Sequence, residues 1–102
     1  MTQPLSPLAQ QSIDLHRRLH GKIRIETTIP IETLQDLTLV YTPGVGAVST
    51  RIAEDPKEVD ELTWRKNTVA IVSDGSAVLG LGNIGPAAAL PVMEGKAAIF
   101  KR

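Results

Sequence analysis

A chain of 102 residues has room for one domain with a single modest core, too little for a complete two-domain dehydrogenase. Eleven basic and eleven acidic residues cancel and no long run of one sign occurs, so nucleic-acid binding through bulk charge is not expected. The absence of cysteine excludes disulfides and thiolate metal sites, and fits a reducing compartment.

The opening MTQPLSPLAQQ lacks the basic start and apolar centre of a secretory signal, and no apolar run approaches the roughly 20 residues of a membrane span. The expectation is a soluble cytoplasmic protein with no membrane partner. One Phe, one Tyr and one Trp leave the core to Leu, Ile, Val and Ala.

Ser6 before Pro7 reads as a helix start, because the serine accepts from an orphan N–H and the proline has none to lose. Leu8, Leu15 and Leu19 fall on one side, and Gly21 suits a left-handed stop, so a helix is expected from Pro7 to His20. In KIRIETTI, Ile23 and Ile25 alternate with Arg24 and Glu26, the period of a half-buried strand, with Pro30 as its end. Helical spacing returns with Leu34 and Leu37. Pro43, Gly44 and Gly46 then interrupt, so a kinked loop is expected to carry Tyr41 into another helix bearing Val48 and Ile52. Asp55, Pro56 and Glu58 combine an N-cap, an N1 proline and a capping-box glutamate, which predicts a short helix from Pro56 to about Leu62.

Val69 to Val72 form an apolar run bounded by Asn67 and Asp74-Gly75, which argues for a buried strand, and SAVLGLG reads as a second strand paired through that turn. Pro86 can open a closing helix that Pro91 and Gly95 would kink or divide. Ile99 and Phe100 stand near the end with no stop signal beyond them, the look of a sequence cut from a longer chain. The fold class expected is an α/β, α+β-like fragment. It has helices at the start, a small mixed strand region near 68–80 and a closing helix, without a complete Rossmann domain.

Several positions could carry chemistry. GLGNIG, with glycines at 80, 82 and 85, is a literal G-x-G-x-x-G, read either as a pyrophosphate loop or as a tight turn into a helix. The turn is favoured, because Pro86 removes a helix-terminal donor and the acidic partner of a dinucleotide fingerprint would fall past Arg102. Tyr41, the only tyrosine, either reaches into a cleft from its loop or is buried with its hydroxyl capping a backbone group. Lys96, in an apolar helical run, either snorkels from the core edge or is desolvated enough to work as a base. Ser73, Asp74 and Gly75 cap a turn or bind a polar ligand. His16 and His20, four apart on a helix, lack a third ligand and read as solvated, and no metal site can be assembled.

Three blocks in this order, LVYTPGV at 39–45, VAIVSDGSAVLGLGNIGP at 69–86 and ALPVMEGKAAIFK at 89–101, resemble the amino-terminal domain of malic enzyme in its short bacterial and archaeal form. The resemblance runs from about Leu15 to the end. It implies that residues 1–102 are part of a malate-binding domain whose parent converts L-malate to pyruvate and carbon dioxide with NAD or NADP and Mg or Mn. It implies Tyr41 as the acid that protonates C3 of enolpyruvate and Lys96 as the base for the malate hydroxyl. Ser73, Asp74 and Gly75 are candidate substrate contacts.

The family's metal ligands and nicotinamide-binding domain are expected after the EGK block. No cofactor or metal residue is therefore assigned within this chain, which alone should be inactive. Where larger eukaryotic-type enzymes carry a substrate-binding arginine after the DG turn, Ser76-Ala77-Val78 stands here. The family also implies a homodimer, with Lys96 presented towards the Tyr41 loop. Two rivals remain: a non-catalytic assembly or ligand-sensing module, and a malolactic or oxaloacetate-decarboxylating relative.

Overall fold

A computed structural model describes residues 4–102. Helix α1 spans Pro7–Leu19, α2 Leu34–Val40, α3 Val45–Glu54, α4 Val59–Leu62 and α5 Gly85–Lys101, with 3₁₀ turns at Pro56–Glu58 and Trp64–Asn67. The chain divides into two compact units. One combines the segment up to Ile25 with Ile71–Arg102, and the other is Glu26–Ala70.

In the first unit, α1 begins as its sequence requires. Ser6 Oγ accepts the Ala9 N–H at 3.1 Å and Pro7 fills the first turn. The helix ends through two successive left-handed residues, His20 at φ 55° and Gly21 at φ 93°. His16, Arg17 and Arg18 in its last turn face the negative end of the helix dipole. Helix α5 runs unbroken for 17 residues through both Pro91 and Gly95, so the expected division of this segment does not occur. Gly75, Val78 and Ala89 are buried in this unit, and Val78 and Ala89 are the only buried apolar side chains among the described residues.

In the second unit, Thr33 Oγ1 accepts the Asp36 N–H at 3.0 Å while Asp36 Oδ2 accepts the Thr33 N–H at 3.1 Å, a reciprocal capping box that starts α2. Asp55 Oδ1 accepts the Lys57 N–H at 3.2 Å and opens the Pro56–Glu58 turn, which passes into α4. The segment from Pro56 to Leu62 therefore starts as 3₁₀ and continues as one α-helical turn.

The expected α/β class is corrected: no strand occurs among the described residues, and the regular structure is helical. KIRIETTI, Val69–Val72 and SAVLGLG are all without a ladder. A strand exists only when a neighbouring backbone takes its N–H and C=O groups, and alternation or apolarity in one segment does not supply that neighbour. Val69 and Val72 are 81% and 88% exposed, the reverse of the burial a central strand needs. Beyond Asp74-Gly75 the chain does not return as a hairpin. It folds into a glycine-rich loop instead.

Candidate active site

Tyr41 ends α2. Its N–H donates to Leu37 O at 2.8 Å, and its own carbonyl accepts the Val45 N–H at 2.7 Å, which ties the end of α2 to the start of α3. The Thr42–Pro43 peptide between them is cis. Gly44 N–H donates to Thr38 O at 2.9 Å, and a Cβ at position 44 would sit 2.5 Å from that same oxygen. The TPG sequence is thus a tight helix-to-helix corner that only a residue without a side chain closes. Tyr41 is 64% exposed, and its hydroxyl has no hydrogen-bond partner among the described residues. The alternative of a buried phenol capping the backbone is not what this corner holds.

Ser73, Asp74 and Gly75 lie together in one turn of the first unit. Ser73 Oγ accepts the Gly75 N–H at 3.0 Å and Asp74 Oδ1 accepts the Ser76 N–H at 2.9 Å. These bonds from Ser76 to the Asp74 carboxylate, side chain first and backbone second, hold its pKa below the ordinary carboxylate range. The Gly75 carbonyl in turn accepts the N–H groups of Ile84 and Gly85, each at 3.1 Å, and Val78 N–H donates to Gly82 O at 3.1 Å. GLGNIG is therefore folded back on the DG turn. Of the donors that a pyrophosphate would use at the start of α5, Gly85 N–H is engaged and Pro86 has none.

Lys96 lies in α5 and is exposed, so side chains of this chain do not by themselves supply the desolvation expected of a base. It belongs to the same unit as Ser73, Asp74 and Gly75, whereas Tyr41 belongs to the other.

The helix that carries Lys96 is tied through Lys22, for which the sequence offers no local signal. Lys22 N–H donates to Glu94 Oε1 at 3.0 Å. Lys22 Nζ donates to Pro91 O at 2.9 Å, lies 2.6 Å from His16 Nε2 and 4.0 Å from Glu94 Oε1. His16 Nδ1 stands 2.7 Å from Ser12 O, and a carbonyl only accepts, so Nδ1 carries the proton and Nε2 faces Lys22 with its lone pair. His16, read from sequence as solvated, is a half-buried member of this cluster. The contact joins residues 72 positions apart, for which no local pattern exists.

A cavity of about 480 Å³ at the far end of α5 is lined by Lys22, Ile23, Arg24, Ala97, Ala98, Lys101 and Arg102. None of the candidate site residues lines it. Among the described residues no three His, Cys, Asp or Glu side chains converge to hold a metal ion.

The family model described as malic enzyme, N-terminal domain, matches residues 20–102, which include the Tyr41 corner, the DG turn and Lys96. The chain belongs to the malic enzyme N-terminal domain family. It is 63% identical over 81 residues to the NAD-dependent malic enzyme of Geobacillus stearothermophilus, covering 79% of this chain and 17% of that protein. It is 49% identical over 94 residues to the NADP-dependent malic enzyme of Halomonas elongata, covering 91% and 22%. The crystal structure of malic enzyme from Pyrococcus horikoshii superimposes with a TM-score of 0.88 at 49% identity, covering 93% of this chain and 23% of that one. The chain thus spans no more than about a quarter of the length of these malic enzymes. Helix α1, which ends at Leu19, lies wholly ahead of the matched residues 20–102.

Proposed function

We propose that this chain is the malate-handling part of an NAD- or NADP-dependent malic enzyme, which converts L-malate to pyruvate and carbon dioxide with a divalent metal ion such as Mg or Mn. The observation that carries this reading is the family match across residues 20–102, with both proton-handling blocks, YTPGV and EGK, intact within it. Relatives named for NAD and for NADP support a nicotinamide cofactor without favouring either.

In this reading the Lys96 amine takes the proton of the malate C2 hydroxyl, and the nicotinamide, when bound, would accept the C2 hydride whose loss leaves a ketone. Tyr41 later gives the phenolic proton to C3 of the enolpyruvate left by loss of carbon dioxide. One group thus works as base and the other as acid. Ser73, Asp74 and Gly75 are proposed as substrate contacts, through the turn that Asp74 caps. Self-association into a homodimer is supported by apolar side chains left uncovered on the helices, Leu8, Leu34 and Phe100 among them. No described helix is long and apolar enough to cross a membrane, and the balanced charge gives no nucleic-acid footprint, in keeping with a cytoplasmic setting.

The test is Lys96→Ala in the full-length enzyme, with malate turnover and nicotinamide binding measured separately. Loss of turnover with cofactor binding kept supports the assignment, and near-native turnover rules it out. Product analysis with and without added nicotinamide separates oxidative decarboxylation from malolactic or oxaloacetate-decarboxylating activity.

A further inference from the structure

We infer that Lys22 is a positioning residue for Lys96: it holds the face of α5 formed by Pro91, Glu94 and Gly95 against the end of α1, and so fixes the direction in which Lys96 leaves the helix. The inference rests on the proposed role of Lys96 as base and extends it to a residue that does not touch substrate.

The need for an external tie arises inside α5. Pro91 has no N–H, so the carbonyl one turn earlier, at Ala87, loses its helical donor. The helix start has no side-chain cap either, since Ile84 occupies that position. The helix stays unbroken, but with that bond missing and its start uncapped its direction depends more on what packs against it. Lys22 reaches it at two points. Its backbone N–H holds the Glu94 carboxylate, and its ammonium donates to the Pro91 carbonyl. Its Cε would lie 3.7 Å from a Cβ at Gly95, so the stem runs over the one residue of that face without a side chain. Positions 91, 94 and 95 share one face, being three and four apart.

The other end of the tie is equally fixed. Lys22 and Glu94 are only 23% and 24% exposed, so this is not a loose surface pair. His16 offers its Nε2 lone pair to the Lys22 ammonium because its other nitrogen is committed to Ser12 O. Gly21, at φ 93°, makes room for the carboxylate: a Cβ there would stand 3.1 Å from Glu94 Oε2. Lys96 is two residues beyond Glu94, about 200° around the helix, so a grip on the Glu94 face sets Lys96 on the opposite side. Proton transfer from the malate hydroxyl needs hydrogen-bond reach. A displacement of about 1 Å costs up to about a hundredfold in rate.

The experiment uses the full-length enzyme and compares Lys22→Met, Lys22→Arg, Glu94→Gln and the Lys22→Met/Glu94→Gln double variant with Lys96→Ala. Rates are expressed per folded molecule. Lys22→Met is expected to lower kcat by about tenfold to a hundredfold while KM for malate stays within about threefold. Lys22→Arg should recover most of the loss, because a guanidinium keeps the charge and the donors. The double variant should lose less than the product of the two single losses, as expected of residues acting through one contact. Should Lys22→Met fail to fold, Glu94→Gln, which keeps the shape of the side chain, carries the same test.

Lys22→Met with kcat within about twofold of the parent, while Lys96→Ala abolishes turnover, overturns the positioning role and leaves the base in place. A fall in Tm with kcat per folded molecule unchanged overturns it equally. Near-native turnover of Lys96→Ala instead removes the base assignment, and the positioning role falls with it.

Discussion

The Gly75 carbonyl accepts the Gly85 N–H at 3.1 Å, and this bond closes residues 75–85 into a loop between the DG turn and α5. Gly75 has φ 73°, and a Cβ on it would collide with the Gly85 carbonyl and come within 2.7 Å of Pro86 N. The glycines of this region therefore serve two different needs. Gly75 needs both a left-handed backbone and space, whereas Gly80, at φ 77°, needs only the backbone, since nothing lies within 4 Å.

That difference is measurable by urea denaturation of the variants. Gly80→Ala should cost about 1–2 kcal/mol, the ordinary expense of a left-handed residue with a Cβ. Gly75→Ala should cost about 3 kcal/mol or more, because backbone must also move. Equal losses at the two positions would show that the close approach of Gly75 to Gly85 contributes nothing.

Gly44 and Gly46 make a second contrast in the Tyr41 corner. A methyl group at 44 would meet Thr38 O at 2.5 Å and Leu39 O at 3.1 Å, so Gly44→Ala should destabilise by about 1–3 kcal/mol. Gly46 lies in α3 with open space around it, and Gly46→Ala should stabilise by about 0.5–1 kcal/mol through helix propensity. Thermal unfolding of both variants checks the pair.

The capping box of α2 predicts an acid-sensitive start to that helix. Hydrogen bonds from the Glu32 backbone first, then from the Thr33 side chain and backbone, hold the Asp36 pKa below the ordinary carboxylate range. A depressed folded-state value means that the stabilisation is complete above the unfolded carboxylate value and is lost as pH falls through the folded one. Thr33→Ala should cost about 1 kcal/mol near neutral pH, and the cost should shrink once Asp36 is protonated. A pH titration of helical ellipticity in both proteins that shows no convergence as Asp36 is protonated would contradict the assignment.

Tyr41→Phe separates catalysis from stability. With its hydroxyl unbonded and its ring 64% exposed, the change should alter stability by no more than about 0.5 kcal/mol. Turnover of malate in the full-length enzyme should nevertheless fall about a hundredfold to ten-thousandfold if the phenol is the general acid. Turnover that stays near the parent value assigns the proton to another donor.

Helix boundaries were legible because their signals are local. Ser6-Pro7, Asp55-Pro56 and the left-handed stop at Gly21 each act within one turn of the chain, and each stands where the sequence puts it. The box at Thr33 and Asp36 went unread, since the usual pattern asks for Glu or Gln at the third helical position. Strands were misread for the opposite reason: the Val69–Val72 run describes one segment, and a sheet is a property of at least two. The contact between Lys22 and Glu94 was illegible on the same ground, as it spans 72 positions. The roles proposed for Tyr41 and Lys96 rest on resemblance alone. Neither exposure nor hydrogen bonding marks them within this chain.

Gly21 both ends α1 and clears a place for the Glu94 carboxylate, so two separate demands fall on one position. In a library of all substitutions, position 21 should behave as a bottleneck: a residue tolerant of left-handed backbone, such as Asn, meets the first demand and still intrudes on the second. Engineering of this domain has more freedom in the open glycines of the loop than at this quiet helix end.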